Sequence, residues 1–243
     1  MSQNRSSAVM ARRIEPTDSL DFFPTPPWAT RALCEHLDRW GRVADSSVWE
    51  PACGEGDMVR PLGEYFHSAF GSDVHDYGSG DQAEVCDFLF PGPSPMARCF
   101  AHGRPDWIIT NPPFRLAEEF ALRAFEIAGE GVALLVRTAF LEGGGRFERL
   151  FKPHRPDWIL QFCERVPMFK GRLDPSGSSA TSYCWVVWSG GIKRNIPAEP
   201  WDPTHFPAFV WIPPCRSRLE RPGDYPAPVP ADLAAAPLFD SAA

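Results

Sequence analysis

Apolar positions along this chain follow two spacings. At helical spacing, Trp28, Ala32, Leu33, Leu37 and Trp40 fall near one face. Thr25 stands before them as an N-cap, with Pro26 at the first helical position, so a helix is predicted from there to about Trp40. A second helix is predicted over 57–66. A third over 116–128 places Phe120, Ala121, Ala124, Phe125 and Ala128 inward. Short apolar runs predict strands over 47–50, 68–73, 85–88, 106–110, 131–136, 158–163 and 182–188. Strands alternating with helices predict an α/β domain with a largely parallel sheet. Residues 1–20 are polar and aperiodic and are expected to form a mobile arm. Residues 91–105 read as a Pro/Gly-rich loop. Beyond Gly190 the chain is proline-rich, with Trp201, Trp211 and Ile212 expected to anchor it and the last dozen residues expected to be disordered.

Two junctions carry candidate chemistry. The first strand ends at Glu50 and runs into Pro51-Ala52-Cys53-Gly54-Glu55-Gly56, a tight glycine turn before a helix. Strand, glycine turn and helix let backbone approach a nucleotide cofactor closely. The dinucleotide fingerprint fails at its third glycine, where Val59 stands, which disfavours a nicotinamide cofactor. A carboxylate at Glu50 repels phosphate and suits a cationic group such as an amino-acid ammonium. Asp73 ends the second strand, where an acid grips ribose hydroxyls or simply solvates a turn. Asp87, in the third, is placed to accept from an adenine amino group.

The other junction is Asn111-Pro112-Pro113-Phe114, at the carboxyl end of the 106–110 strand. In open α/β sheets that end is where ligands bind. The Asn111 side-chain oxygen and the Pro112 carbonyl form a pair of acceptors for one amino group, and Phe114 offers a face for the ring that carries it. Taken alone, the stretch also suits an Asx-closed strand-to-turn junction. Likewise, Phe22 and Phe23 by themselves suit a hydrophobic staple onto the first helix.

Composition narrows the class. The 243 residues are 44% hydrophobic and 23% charged, the balance of a globular protein with a sizeable core. No apolar run reaches membrane-spanning length, and no signal-peptide core is visible at the N-terminus. The seven cysteines include no C-x-x-C, and no His/Cys cluster has zinc spacing, so no metal is expected and reduced thiols point to a cytoplasmic location. The net charge of −7 is unhelpful for nucleic-acid affinity. Between residues 137 and 172, however, basic residues outnumber acidic ones. There Arg146, Arg149, Lys170 and Arg172, near glycine- and serine-rich loops, are either phosphate contacts or the charges of solvated loops.

Three patterns stand in one order: Asp21-Phe22-Phe23-Pro24-Thr25-Pro26, then Glu50-Pro51-Ala52-Cys53-Gly54-Glu55-Gly56, then Asn111-Pro112-Pro113-Phe114. Together they resemble the S-adenosylmethionine-dependent N6-adenine DNA methyltransferases with the gamma-group motif order. The whole chain looks like the small phage- and prophage-borne members. The resemblance implies a Rossmann-like class I methyltransferase domain over 21–190, a proline-rich extension over 191–243, and a seven-stranded, mostly parallel sheet with a terminal antiparallel strand. It also implies that Phe23 and Thr25 line the cofactor pocket and that Glu50 faces the methionine ammonium. Ala52, Cys53, Gly54 and Gly56 would cradle the cofactor, with Asp73 on its ribose and Asp87 on its adenine amine. Asn111, Pro112, Pro113 and Phe114 would hold the target base. Many members carry a sizeable target-recognition domain, for which this chain has no comparable room, so RNA adenine methylation stays open beside DNA. Protein glutamine N5-methylation poses the same acceptor problem, but those enzymes usually carry a helical N-terminal domain. A cofactor-binding module without activity would not need Glu50, Gly54, Gly56 and Asn111 together.

Overall fold

Strands whose successive side chains are all apolar must be covered on both faces. Along the inner strands, neighbouring residues divide between two cores. Val48, Ile109, Leu135, Trp185 and Val187 face one, while Trp49, Ile108, Leu134, Cys184 and Val186 face the other. In the computed structural model, which describes residues 21–40, 43–92, 95–189 and 207–225, these strands form one eight-stranded sheet.

The strands are β1 (Ser47–Glu50), β2 (Ser68–Asp73), β3 (Gln82–Val85), β4 (Trp107–Thr110), β5 (Gly131–Arg137), β6 (Trp158–Phe162), β7 (Tyr183–Trp188) and β8 (Ala208–Ile212). Their order across the sheet is β3-β2-β1-β4-β5-β7-β6-β8. Only β7 runs against its neighbours β5 and β6; the other pairings are parallel. Helix α1 (Pro27–Trp40) covers one face, packing Trp28, Leu33 and Leu37 into its core. Helix α3 (Ala117–Ile127) covers the other with Phe120, Ala121 and Ala124. This is the expected α/β, Rossmann-like class I methyltransferase architecture, except that the sheet has eight strands rather than seven, because β8 adds a parallel edge strand beside β6. Strand order reverses between β1 and β4, so the carboxyl ends of these two strands flank the switch point where such sheets bind ligands.

Several expectations shift. Trp40, expected on the inward face of α1, is 69% exposed. The helix expected over 57–66 contracts to one turn, α2 (Val59–Leu62), followed by turns through Phe66. Pro61 lacks an N–H, and Gly63 stands at the C-cap, so little local preference extends the helix. The strand expected over 85–88 ends at Val85, because the Asp87 carboxylate accepts the Leu89 N–H at 2.9 Å and closes a turn instead. The 91–105 loop contains a 3₁₀ turn over Pro95–Cys99.

A short helix, α4 (Gly144–Arg146), is prolonged as a π-turn over Phe147–Phe151. The proline-rich extension supplies β8, paired in parallel with β6, and a last helix, α5 (Arg216–Leu219). Ile212 is buried as expected, whereas Trp211 is 63% exposed. Arg31 ties α5 to α1, donating to the Leu219 carbonyl and to both carboxylate oxygens of Asp224. Trp201, the 1–20 arm and the final dozen residues lie outside the described residues.

Candidate functional site

The ends of β1 and β4 lie side by side, and residues that follow them help to line a cleft of about 330 Å³. That volume suits a drug-sized or nucleotide-sized ligand. Of the residues singled out in the sequence, Phe23, Thr25, Ala52, Cys53, Asp73, Asp87, Asn111 and Pro113 line it. Glu50 lies beneath this floor, fully buried. Pro112 is buried and Phe114 half-buried, both beside the cleft rather than in its wall.

Asn111 is fixed by its amide nitrogen, which donates to the Phe23 carbonyl at 2.8 Å and to Thr25 Oγ1 at 3.1 Å. Two acceptors on that nitrogen determine which way the carboxamide points. Its other end, Asn111 Oδ1, is buried without a hydrogen-bond partner. Such an orphaned acceptor is costly inside a protein and marks a place that a donor completes.

Glu50 repeats the pattern. Its Oε1 accepts from Thr110 Oγ1 at 2.5 Å and from the Ala52 N–H at 2.9 Å, while Oε2 is buried without a partner. Burial pushes the carboxyl from its ordinary 4.5 up to about 8, although the bonds from Thr110 and Ala52 oppose the shift. The group is therefore neutral at neutral pH in the protein alone, and a cationic ligand group would draw it back to the carboxylate.

The folded state holds a proton that the unfolded state releases above pH 4.5, so this group's contribution to stability falls as pH rises from about 4.5 to about 8. Glu50→Gln is expected to flatten that fall, seen as a smaller drop in melting temperature between pH 5 and pH 8 than in the wild type. Equal drops in the two proteins would exclude Glu50 as the titrating group.

Asp73 Oδ2 accepts the Gly54 N–H at 3.0 Å and Oδ1 the His75 N–H at 3.1 Å, which ties the end of β2 to the glycine turn. Burial raises this carboxyl as well. Gly54 and Gly56 take φ of +52° and +90°, conformations that side chains disfavour. The close approach they permit is to the protein itself, since a Cβ on Gly54 would overlap the Phe22 ring and one on Gly56 would overlap Asp81.

The Asp21–Thr25 segment is thus a strap across the cleft rather than a staple on α1. Phe22 lies on Gly54 and on Tyr77, with ring centroids 4.9 Å apart, and its carbonyl accepts the Gly171 N–H at 2.9 Å. Phe23 packs on Phe114 at 5.1 Å, and Asp21 Oδ2 accepts the Phe114 N–H at 2.8 Å.

The basic candidates are placed less uniformly. Arg146 donates to the carbonyls of Phe140 and Glu142 and lies 4.2 Å over the Phe140 ring. Arg149 forms a two-pronged pair with Glu118, at 2.6 and 3.0 Å. Arg172 is exposed, 5.5 Å over Phe169 and 3.8 Å from Asp174. Lys170 lies two residues before Arg172. Arg146 and Arg149 share Glu118, whereas Arg172 pairs with Asp174 in a separate loop.

Sequence reasoning did not single out Tyr77, Phe88, Leu116 and Phe120, which give the cleft its aromatic and aliphatic wall. Phe88 and Tyr77 follow strand ends, the one available signal. Phe120 and Leu116 look like ordinary core positions of a helix. Among the described residues there is no group of three or more His, Cys, Asp or Glu able to hold a metal, and no helix is long and apolar enough to cross a membrane.

The fold is of the Rossmann-like α/β type found in class I methyltransferases. No protein-family model matches the sequence, and no curated protein matches it. Among solved structures, a "putative RNA methyltransferase" from Pyrococcus horikoshii is similar, with TM-score 0.54 and 16% identity over 73% of this chain and 91% of that one. A modification subunit of a "putative type I restriction enzyme" from Vibrio vulnificus gives TM-score 0.46 and 17% identity over 69% of this chain, which spans 44% of that subunit's length. Magnesium protoporphyrin IX methyltransferase from Synechocystis, with bound S-adenosylmethionine, gives TM-score 0.43 and 13% identity over 66% of this chain and 77% of that one. At these identities the likeness is one of fold.

Proposed function

We propose that the protein transfers a methyl group from S-adenosylmethionine to the N6 amino group of adenine in a nucleic acid, with DNA as the finer reading. The observation that carries the proposal is the buried, partnerless Asn111 Oδ1 at the end of β4. An adenine N6 lone pair is conjugated into the ring and is a weak nucleophile. Asn111 Oδ1 and the Pro112 carbonyl, accepting its two hydrogens, favour a pyramidal nitrogen with the lone pair turned outward. Acceptors fixed in advance need no reorganisation as charge develops, which is how preorganised polar groups lower a barrier. No strong general base is required, because the nitrogen becomes acidic as it reacts.

The residues at the cleft fit the cofactor, as acceptors awaiting N–H or hydroxyl donors. Glu50 would take its ammonium, Asp73 its ribose and Asp87 its adenine amine, with Ala52, Cys53, Gly54 and Gly56 as backbone cradle and Phe23 and Thr25 as wall. When bound, S-adenosylmethionine supplies an electrophilic methyl group on a sulfonium. Phe114 would stack on the extruded base, offsetting part of the few kcal/mol that leaving a duplex stack costs. Arg172 and Lys170, with Arg146 and Arg149, would meet phosphates.

RNA is the second reading. The Pyrococcus horikoshii neighbour is described as a putative RNA methyltransferase. Labelled methyl transfer to DNA, RNA and a protein extract in parallel, followed by digestion, tests both. N6-methyladenine is the expected product. A methylated glutamine would move the activity to protein, and no transfer to any of the three would overturn the proposal.

A further inference from the structure

The platform proposed for the target base already has an occupant. Arg137, the last residue of β5, places its guanidinium carbon 3.9 Å from the centroid of the Phe114 ring. That is contact distance, and a base inserted between two flat groups needs roughly twice as much. Phe23 leans on the ring at 5.1 Å and 44°, and Tyr183 at 6.2 Å and 36°, so no parallel face is left open. Tyr183 stands opposite Arg137 in the β5–β7 ladder, and burial raises the pKa of its hydroxyl while the nearby Arg137 charge opposes that rise. Arg137 itself is exposed and reaches this position from the solvent side.

We infer that Arg137 is a placeholder for the target base: its guanidinium fills the Phe114 stacking position in the free protein and swings out to a backbone phosphate when a base enters. The inference rests on the nucleic-acid reading above.

The physical chemistry allows the exchange. An exposed guanidinium over a phenyl ring changes an equilibrium by roughly twofold to fivefold, whereas a base on an aromatic platform is worth roughly fivefold to a hundredfold. The base therefore displaces the arginine. The freed cation, at the rim of the same strand end, recovers a charge-assisted bond to phosphate. In the absence of a base, the stack keeps the Phe114 ring covered and oriented beside Asn111.

The test uses two ligands whose responses should have opposite signs. 2-Aminopurine riboside has a base and no phosphate, while a 2-aminopurine-containing single strand, as DNA and as RNA, has both. Binding is read from 2-aminopurine fluorescence for the wild type, Arg137→Ala and Arg137→Lys, with melting temperature as the folding control. Arg137→Ala should bind the riboside about threefold more tightly, having no stack to break. It should bind the oligonucleotide more weakly, and the slope of log affinity against log salt should flatten by about one unit. Arg137→Lys should resemble the alanine variant toward the riboside and the wild type in its salt slope. Changes of the same sign for both ligands, or none for either, would overturn the placeholder. If the wild type bound neither riboside nor oligonucleotide, the nucleic-acid reading itself would fall, and this inference with it.

Discussion

Asn111→Ala is expected to lower methyl transfer by roughly two to three powers of ten, the effect of removing one preorganised polar partner from a reacting centre. The loss should fall on kcat, because Asn111 Oδ1 has no partner in the free protein and its acceptor matters most as the nitrogen pyramidalises. A smaller rise in KM should accompany it, since Asn111 Nδ2 also holds the strap at the Phe23 carbonyl and Thr25. Cofactor affinity, measured by calorimetry, should change only a few-fold. Turnover within about threefold of the wild type would reduce Asn111-Pro112-Pro113-Phe114 to a structural turn and remove the proposed acceptor.

Gly54→Val is expected to cost at least about tenfold in S-adenosylmethionine affinity, from two causes that act together. A β-branched residue at φ +52° is strained by about 1–2 kcal/mol. Its side chain would also overlap the Phe22 ring, which lies over the turn, and so push the strap away from Tyr77 and from the Gly171 loop. The Gly54 N–H bond to Asp73 would shift as well, loosening the acid proposed for the ribose. Calorimetry with the cofactor and a thermal melt separate local from global damage. Unchanged affinity in a folded variant would mean that the turn does not cradle the ligand.

Much of the fold was legible because it is local. Runs such as 131–136 and 106–110 are too apolar for an exposed strand, and α3 follows a helical stripe to within a residue at each end. Boundaries slipped where one side chain competes with the backbone ladder, as at Asp87, or where a proline and a glycine fall close together, as at Pro61 and Gly63. β8 was read only as an anchoring segment because proline-rich surroundings hide a short edge strand, whose pairing with β6 is a contact across about fifty residues.

For the site, the chain by itself determined which groups lie at strand ends: Glu50, Asp73 and Asn111 each close an apolar run, and the residue after a buried strand must emerge at its carboxyl edge. What surrounds those groups was decided only by tertiary structure. The two partnerless oxygens, Glu50 Oε2 and Asn111 Oδ1, exist because β1 and β4 are neighbours and because the Asp21–Thr25 strap takes up Asn111 Nδ2. The stacking of Arg137 on Phe114 depends likewise on β5 lying beside β4, with β7 bringing Tyr183 against it. Burial, hydrogen-bond vacancy and ring contact are properties of pairs distant in sequence, so no residue's own neighbours could have specified them.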